Sequence, residues 1–222
     1  MEAERSPLAK FQVAYFGRVD HYLGWHDGYT ADSDCLDALT SLERQQAEAD
    51  LMDRLRKGTA DPRAVLGLGH LRSEEALPLL HRCLRQSGFA IYALEAIAKI
   101  NPAGLYQSDL AALLAPTTDA YVLINLLVGL QHYYTLGQLI PLVVHRIFAL
   151  VAHPSDYLVR YHALHALRRL YQLRPSEQEQ SIDRAVNVHD KVFKLITQKK
   201  APGAYRKAQH LLQAEIAAIS AY

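Results

Sequence analysis

Residues 155–170 read SDYLVRYHALHALRRL, and the spacing inside this stretch decides how the rest of the chain is read. Val159, Ala163, Ala166, Leu167 and Leu170 recur at intervals of three and four, which places them on one stripe of an α-helix. Asp156 stands where a helix N-cap belongs. His162 and His165 are three apart, so a helix points both rings the same general way. A metal site on that pair requires further ligands held by a second shell. The chain contains neither HExxH nor Glu-x-x-His. Arg160, Arg168 and Arg169 crowd the same helix, and their charge opposes a cation. With the stripe turned inward, His165 is expected near the opposite side and His162 on the flank, as a solvent-facing pair open to a partner.

The skeleton repeats. Ala93, Ala96, Ile97 and Ile100 reproduce it, and Ala64, Gly67, Leu68 and Leu71 reproduce it more loosely. Apolar amphipathic segments, Ala76–Leu84 and Leu139–Leu150, precede two of these helices. Helix starts near 61, 87, 119 and 156 step by a few tens of residues, the period of a two-helix unit in a stacked α-solenoid. Small residues inside each second helix allow close approach of its neighbours. A four-helix bundle is the rival, without a reason for this recurring Ala/Gly spacing.

Elsewhere the apolar spacing is helical nearly throughout, and strand-like alternation is scarce. A first helix is expected over Leu8–Leu23, then the loop GWHDGYTADS, then an amphipathic segment from about Asp34 to Lys57 that stops at Gly58. Asp61-Pro62 supplies a cap and a first-turn proline. Ser73-Glu-Glu places acids at a helix start. Further starts are expected at Ser87, Ala103, Asp119, Leu136, Asp156, Ser176 and Gly203, with Ser176 and Glu179 at capping-box spacing.

The stretch DPRAVLGLGHLRSEEALPLLHRCL, followed by AIYALEAIAKI, resembles the short HEAT-like repeats of phycobilisome lyases. DYLVRYHALHALRRL resembles the second helix of a HEAT repeat, with Asp156, Val159, Arg160, Ala163, Ala166 and Leu167 in matching places. The resemblance spans roughly 44–173 and departs at Leu123, where Arg is expected. It implies an all-α, single-domain α-solenoid. Residues 1–43 would form an N-terminal cap with an acidic loop, 44–173 the repeats, and 174–222 C-terminal capping helices. It also implies that second helices line a concave face, whose ridge would carry Tyr92, Glu95, Asn125, Gln131, Tyr161, His162, His165 and Arg168. Such repeats serve scaffolds, inhibitors, lyases and a DNA glycosylase group.

A second candidate is the loop around Trp25, the only tryptophan, with Tyr29 and the acids Asp27, Asp32 and Asp34. Read as a calcium loop from Asp32, it offers Asp34 and Glu43 as ligands. However, Leu36 and Asp37 occupy the fifth ligand place and the required glycine, so the match fails. Aromatic side chains beside acids are interface anchors, and a protein-binding patch is the sharper expectation. Gly67-Leu-Gly69 lacks a third glycine and a preceding strand. Neither GxxxxGK[ST] nor GxSxG occurs. Cys83, beside His81 and Arg82, reads as a packed structural thiol.

Bulk properties narrow the partners. The 222 residues carry a net charge of +1, with half of them hydrophobic and 21% charged, so a folded chain without a strong global field is expected. The charge is uneven: residues 1–60 hold 11 acids against 7 Lys/Arg, and residues 157–222 hold 11 Lys/Arg against 5 acids. Thirteen tyrosines against five phenylalanines suit a surface that packs and hydrogen-bonds at once. Two cysteines cannot form a disulfide framework. The N-terminus lacks an apolar signal core, and the stretch Tyr121–Leu130 is too short to span a bilayer. The expectation is a cytoplasmic, non-enzymatic protein-binding module without cofactor or metal. Its partner would be another protein, and nucleic acid and membrane are not expected. A bacterial immunity-type inhibitor of a toxin or effector is the favoured form. A bilin-lyase-like enzyme and a DNA-binding solenoid are the alternatives.

Overall fold

The computed structural model describes residues 6–104, 106–173 and 190–220, which are all-α with no strand among them. The chain divides into two compact units, 1–102 and 103–222. No helix among the described residues is long and apolar enough to cross a membrane.

The first unit contains α1 (Pro7–Phe16), α2 (His21–Asp27), α3 (Ser33–Asp37), α4 (Ser41–Lys57), α5 (Pro62–Leu71), α6 (Leu77–Cys83) and α7 (Ala90–Ile100). The single helix expected over 8–23 is two. Gly17 turns extended after α1, and a Cβ there would meet the Val13 carbonyl oxygen at 2.3 Å. Asp20 then caps α2 by accepting from the Tyr22 and Leu23 N–H groups. The expected loop at 24–33 is therefore helical over 24–27 and non-helical, as expected, over 28–32, with α3 beginning at Ser33. The segment expected over 34–57 also divides. Thr40 opens α4 with a full capping box, its N–H donating to Glu43 Oε2 at 2.9 Å. That bond from Thr40 holds the Glu43 carboxyl below its usual range.

Local stop and start signals hold where the chain supplies the matching chemistry. Gly58 ends α4 at φ 67°, and Asp61 caps α5 with Pro62 in its first turn. Ser73 accepts from the Ala76 N–H and opens one 3-10 turn that runs into α6. The starts expected at Ser87 and Ala103 come later, at Ala90 and Gln107. In the first unit α5 packs on α4 and α7, and α6 packs on α4 and α7. A Cβ on Gly69 would lie 2.6 Å from Ala96 Cα, which sets how closely α5 approaches α7. Phe11, Leu36, Leu51, Leu68, Leu80 and Leu94 fill the core.

The second unit contains α8 (Gln107–Leu113), α9 (Ala120–Tyr133), α10 (Pro141–Leu150), α11 (Tyr157–Leu170), α12 (Lys191–Ile196) and α13 (Pro202–Ser220). Asp119 and Asp156 cap α9 and α11 as expected. Leu136 begins a 3-10 turn, and the helix itself waits for Pro141. The Ser176–Glu179 capping box lies outside the described residues. Here α9 packs on α11, α10 on α8 and α11, and α12 on α11 and α13. The apolar stripe of α11, Val159, Ala163, Ala166, Leu167 and Leu170, is buried throughout.

Three polar side chains stitch this unit together. Arg160, 3% exposed, donates from Nε to the Ile196 carbonyl at 2.9 Å and from Nη1 to the His153 carbonyl at 2.8 Å. Its guanidinium lies 3.9 Å over the Tyr205 ring. His153 is buried, and its Nδ1 accepts from the Asp156 N–H at 3.1 Å. That acceptor role leaves the proton on Nε2, which donates to the Pro116 carbonyl at 3.2 Å. Gln107, also buried, accepts from the Ile140 N–H and donates to the Gln138 carbonyl.

Both cysteines are buried, and burial pushes each thiol up to about 11. The nucleophile is the thiolate, which is scarce near neutral pH at such values. Ellman's reagent is expected to leave both thiols unlabelled in the native chain and to label two in urea. Rapid native labelling would show that one of them is reachable.

Candidate functional site

Two regions collect the residues singled out in the sequence. The first surrounds α2 in the first unit. The Tyr29 backbone N–H donates to Tyr92 Oη at 2.9 Å, and the two rings meet edge to face at 5.9 Å. Tyr29 Oη bonds His21 Nδ1 at 3.0 Å. Gly24 rests against the Tyr29 ring so closely that a Cβ would meet it at 2.6 Å. Burial pushes the Tyr29 phenol pKa upward. Tyr29 and Tyr92 therefore fasten α2 to α7, and neither ring stands alone at the surface.

With α2 held in this way, its other side turns outward. Tyr22 is 67% exposed and Leu23 52% exposed. Tyr22 stacks on His26 at 6.1 Å, and His26 Nδ1 lies 2.6 Å from Asp27 Oδ1. Trp25 lies on α2. The remaining acids are placed by local chemistry. Asp32 caps α3 by accepting from the Cys35 N–H, and its carbonyl accepts from Tyr15 Oη. Asp34 is exposed in the first turn of α3. Glu43, weighed as a calcium ligand, belongs to the Thr40 capping box. Among the described residues no group of three His, Cys, Asp or Glu side chains could hold a metal ion.

The second region is α11. Its histidines are not the solvent-facing pair expected from the stripe: both are half-buried. The Tyr161 ring packs on His165 at 4.3 Å and meets His162 edge-on at 5.2 Å. Phe193 of α12 closes over Tyr161 at 6.2 Å. The reason lies in α12 and α13, which cover a flank that the isolated helix pattern leaves open. His165 Nε2 is buried, with no hydrogen-bond partner among the described residues. Arg168, expected on the exposed ridge, pairs with Asp190 and approaches Glu215 at 4.0 Å. Burial pushes Asp190 upward, but Arg168 and the N–H groups of Phe193 and Val192 outweigh it and hold the carboxyl low.

The other ridge residues lie on α7 and α9. Glu95 on α7 pairs with Lys99 at 2.7 Å. Asn125 and Gln131 lie on α9, each half-buried. Tyr92 and Glu95 belong to the first unit, and Asn125, Gln131, Tyr161, His162, His165 and Arg168 to the second. Sequence reasoning missed Tyr22 and Leu23 as the outward face of α2, because the expected helix ran straight through Gly17.

The α11 histidines carry a pH dependence with a definite sign. Burial lowers the pKa of His162, and burial followed by the charges of Arg168 and His162 lowers that of His165. Below the unfolded value of about 6.5, the unfolded chain takes up protons that the native chain refuses. Their contribution is therefore fully present above that value and is lost as pH falls toward the folded values. Urea midpoints are expected to drop between about pH 7 and pH 5. The His162→Gln/His165→Gln variant is expected to show a shallower drop, and an unchanged slope would contradict the assignment.

Comparison with family models, with curated proteins and with solved structures gives no match to this chain.

Proposed function

We propose that this chain is a non-enzymatic protein-binding module of HEAT-like α-solenoid type. It acts in the bacterial cytoplasm as an immunity-type inhibitor that neutralises a toxin or effector by direct contact. The helix packing supports the solenoid part. In the first unit, the chain neighbours α4 and α5, and α6 and α7, pack as hairpins, while α5 packs on α7 and α4 on α6. The second unit repeats part of the pattern: α10 and α11 pack as a hairpin, α9 packs on α11 and α8 on α10. First helices on first helices and second on second is the packing of a stacked repeat.

One observation carries the binding part: α2 is fastened from behind by Tyr29 and Tyr92 while Tyr22 and Leu23 face solvent. Tyrosine is a residue type that anchors interfaces, and a helix held in place lowers the ordering cost of presenting it, with Leu23 adding apolar contact area. Asp27, joined to that face through His26, suits a partner whose rim is basic. The inhibitor role extends this by analogy with small stand-alone HEAT-like proteins.

The experiment is co-purification with tagged chain from cells of the source organism. One stoichiometric partner is expected with the native chain and with Leu211→Ala, which removes an exposed apolar side chain from α13. The Tyr22→Ala/Leu23→Ala variant is expected to keep its melting temperature and lose at least about tenfold in affinity. Retention of the partner by that folded variant, or recovery of no partner at all, would sink the reading.

A further inference from the structure

The first unit contains a cleft of about 440 Å³ lined by the end of α1, the linker Gly17–Val19, His21, Arg54, the turn Thr59–Asp61 and the start of α5. That volume falls within the range of small-molecule sites. Three arginines line it, and they differ in what they already hold. Arg63 is committed: Nη1 donates to the Ala14 carbonyl at 2.6 Å, Nη2 to the Gly17 carbonyl at 2.9 Å, and Nε and Nη2 both reach Asp61. It pins α1 to α5, shapes the wall and cancels Asp61, the one carboxylate among the described lining residues. Arg54 lies 4.3 Å over the Phe16 ring, and Arg18 is exposed on the linker. Neither has a carboxylate partner among the described residues. His21, with Nδ1 turned to Tyr29, and the Thr59 hydroxyl add polar groups to the same lining.

Two unneutralised guanidinium groups in a cleft of ligand size call for an anion. The planar fork of arginine matches phosphate oxygens two at a time. The Phe16 face that carries Arg54 holds the fork in one plane and leaves apolar surface beside it. We propose that this cleft binds a small organic phosphate monoester, with Arg54 and Arg18 on the phosphate and the organic part along Phe16. The cleft shares His21 with α2, but Tyr22 and Leu23 are not in its lining, so the two sites are tested by different variants.

The probe is phenyl phosphate, titrated at low salt and followed by calorimetry and amide NMR shifts, with inorganic phosphate as a second arm. Phenyl phosphate is expected to bind with a Kd of about 0.1–1 mM. Arg54→Gln is expected to weaken it about tenfold, and Arg18→Gln, at an exposed position outside the core, about threefold. Arg85→Gln removes the same charge from an exposed position outside the cleft and should leave binding unchanged. Inorganic phosphate is expected to shift the same amides at lower affinity. The proposal is overturned if phenyl phosphate does not saturate, or if both cleft variants bind like the native chain. Equal weakening by Arg85→Gln, or equal affinity for inorganic phosphate, also overturns it.

Discussion

Replacing Arg160 with Ala is expected to lower the unfolding free energy by about 3 kcal/mol, the largest effect of any single polar change in the second unit. The guanidinium is buried and donates to the carbonyls of Ile196 and His153 while covering the Tyr205 ring. Each charge-assisted bond contributes about 1.5–3 kcal/mol, and a desolvated cation–π contact about 1–2 kcal/mol. Relief of the buried charge offsets part of that sum, since burial works against the ionised guanidinium. What remains after truncation is two carbonyls without donors, facing a void. Lysine does not repair it, because a single ammonium cannot reach both oxygens in the arginine geometry. Urea denaturation of Arg160→Ala and Arg160→Lys checks this. A loss below about 1 kcal/mol for the alanine variant would show that water replaces the guanidinium.

Replacing Gly69 with Val is expected to cost about 3 kcal/mol in the first unit. The position faces Ala96 of α7, where a Cβ would already sit 2.6 Å from the neighbouring Cα and 2.8 Å from its Cβ. Backbone cannot swing aside as a long side chain can, so α5 and α7 must separate along their whole contact. Gly69→Ala should cost less, because the helix gains about 1 kcal/mol from losing a glycine. Gly88→Ala is the control, with nothing within 4 Å of the added Cβ, and should change stability by no more than about 0.5 kcal/mol. Equal midpoints for Gly69→Val and the native chain would mean that α5 and α7 do not meet as described.

The signals that were legible in the sequence are local ones. Gly58, Asp61-Pro62, Asp119 and Asp156 mark helix ends because the cap and the capped group lie within a few residues. The repeat skeleton was legible for a related reason: its small residues mark buried faces, and Ala93, Ala96, Ala163 and Ala166 are all fully enclosed. Gly17 and Thr40 were passed over because apolar spacing continues across both, and only the cap chemistry of Asp20 and Glu43 breaks the helix. The histidine ridge was misjudged for a tertiary reason. One helix wheel shows which face is apolar, but it cannot show that Phe193 and Asp190 return to cover the flank. The Arg18–Arg54 cleft was invisible for the same reason, since its lining comes from the α1–α2 linker, α4 and α5.

Amide hydrogen exchange on the complex recovered with the tagged chain tests the proposed contact face most directly. The expected result is new protection over α2, residues 21–27, with α11 unchanged because its aromatic and arginine side chains are already engaged. Protection confined to α11, with residues 21–27 exchanging as in the free chain, would contradict a contact face built on Tyr22 and Leu23.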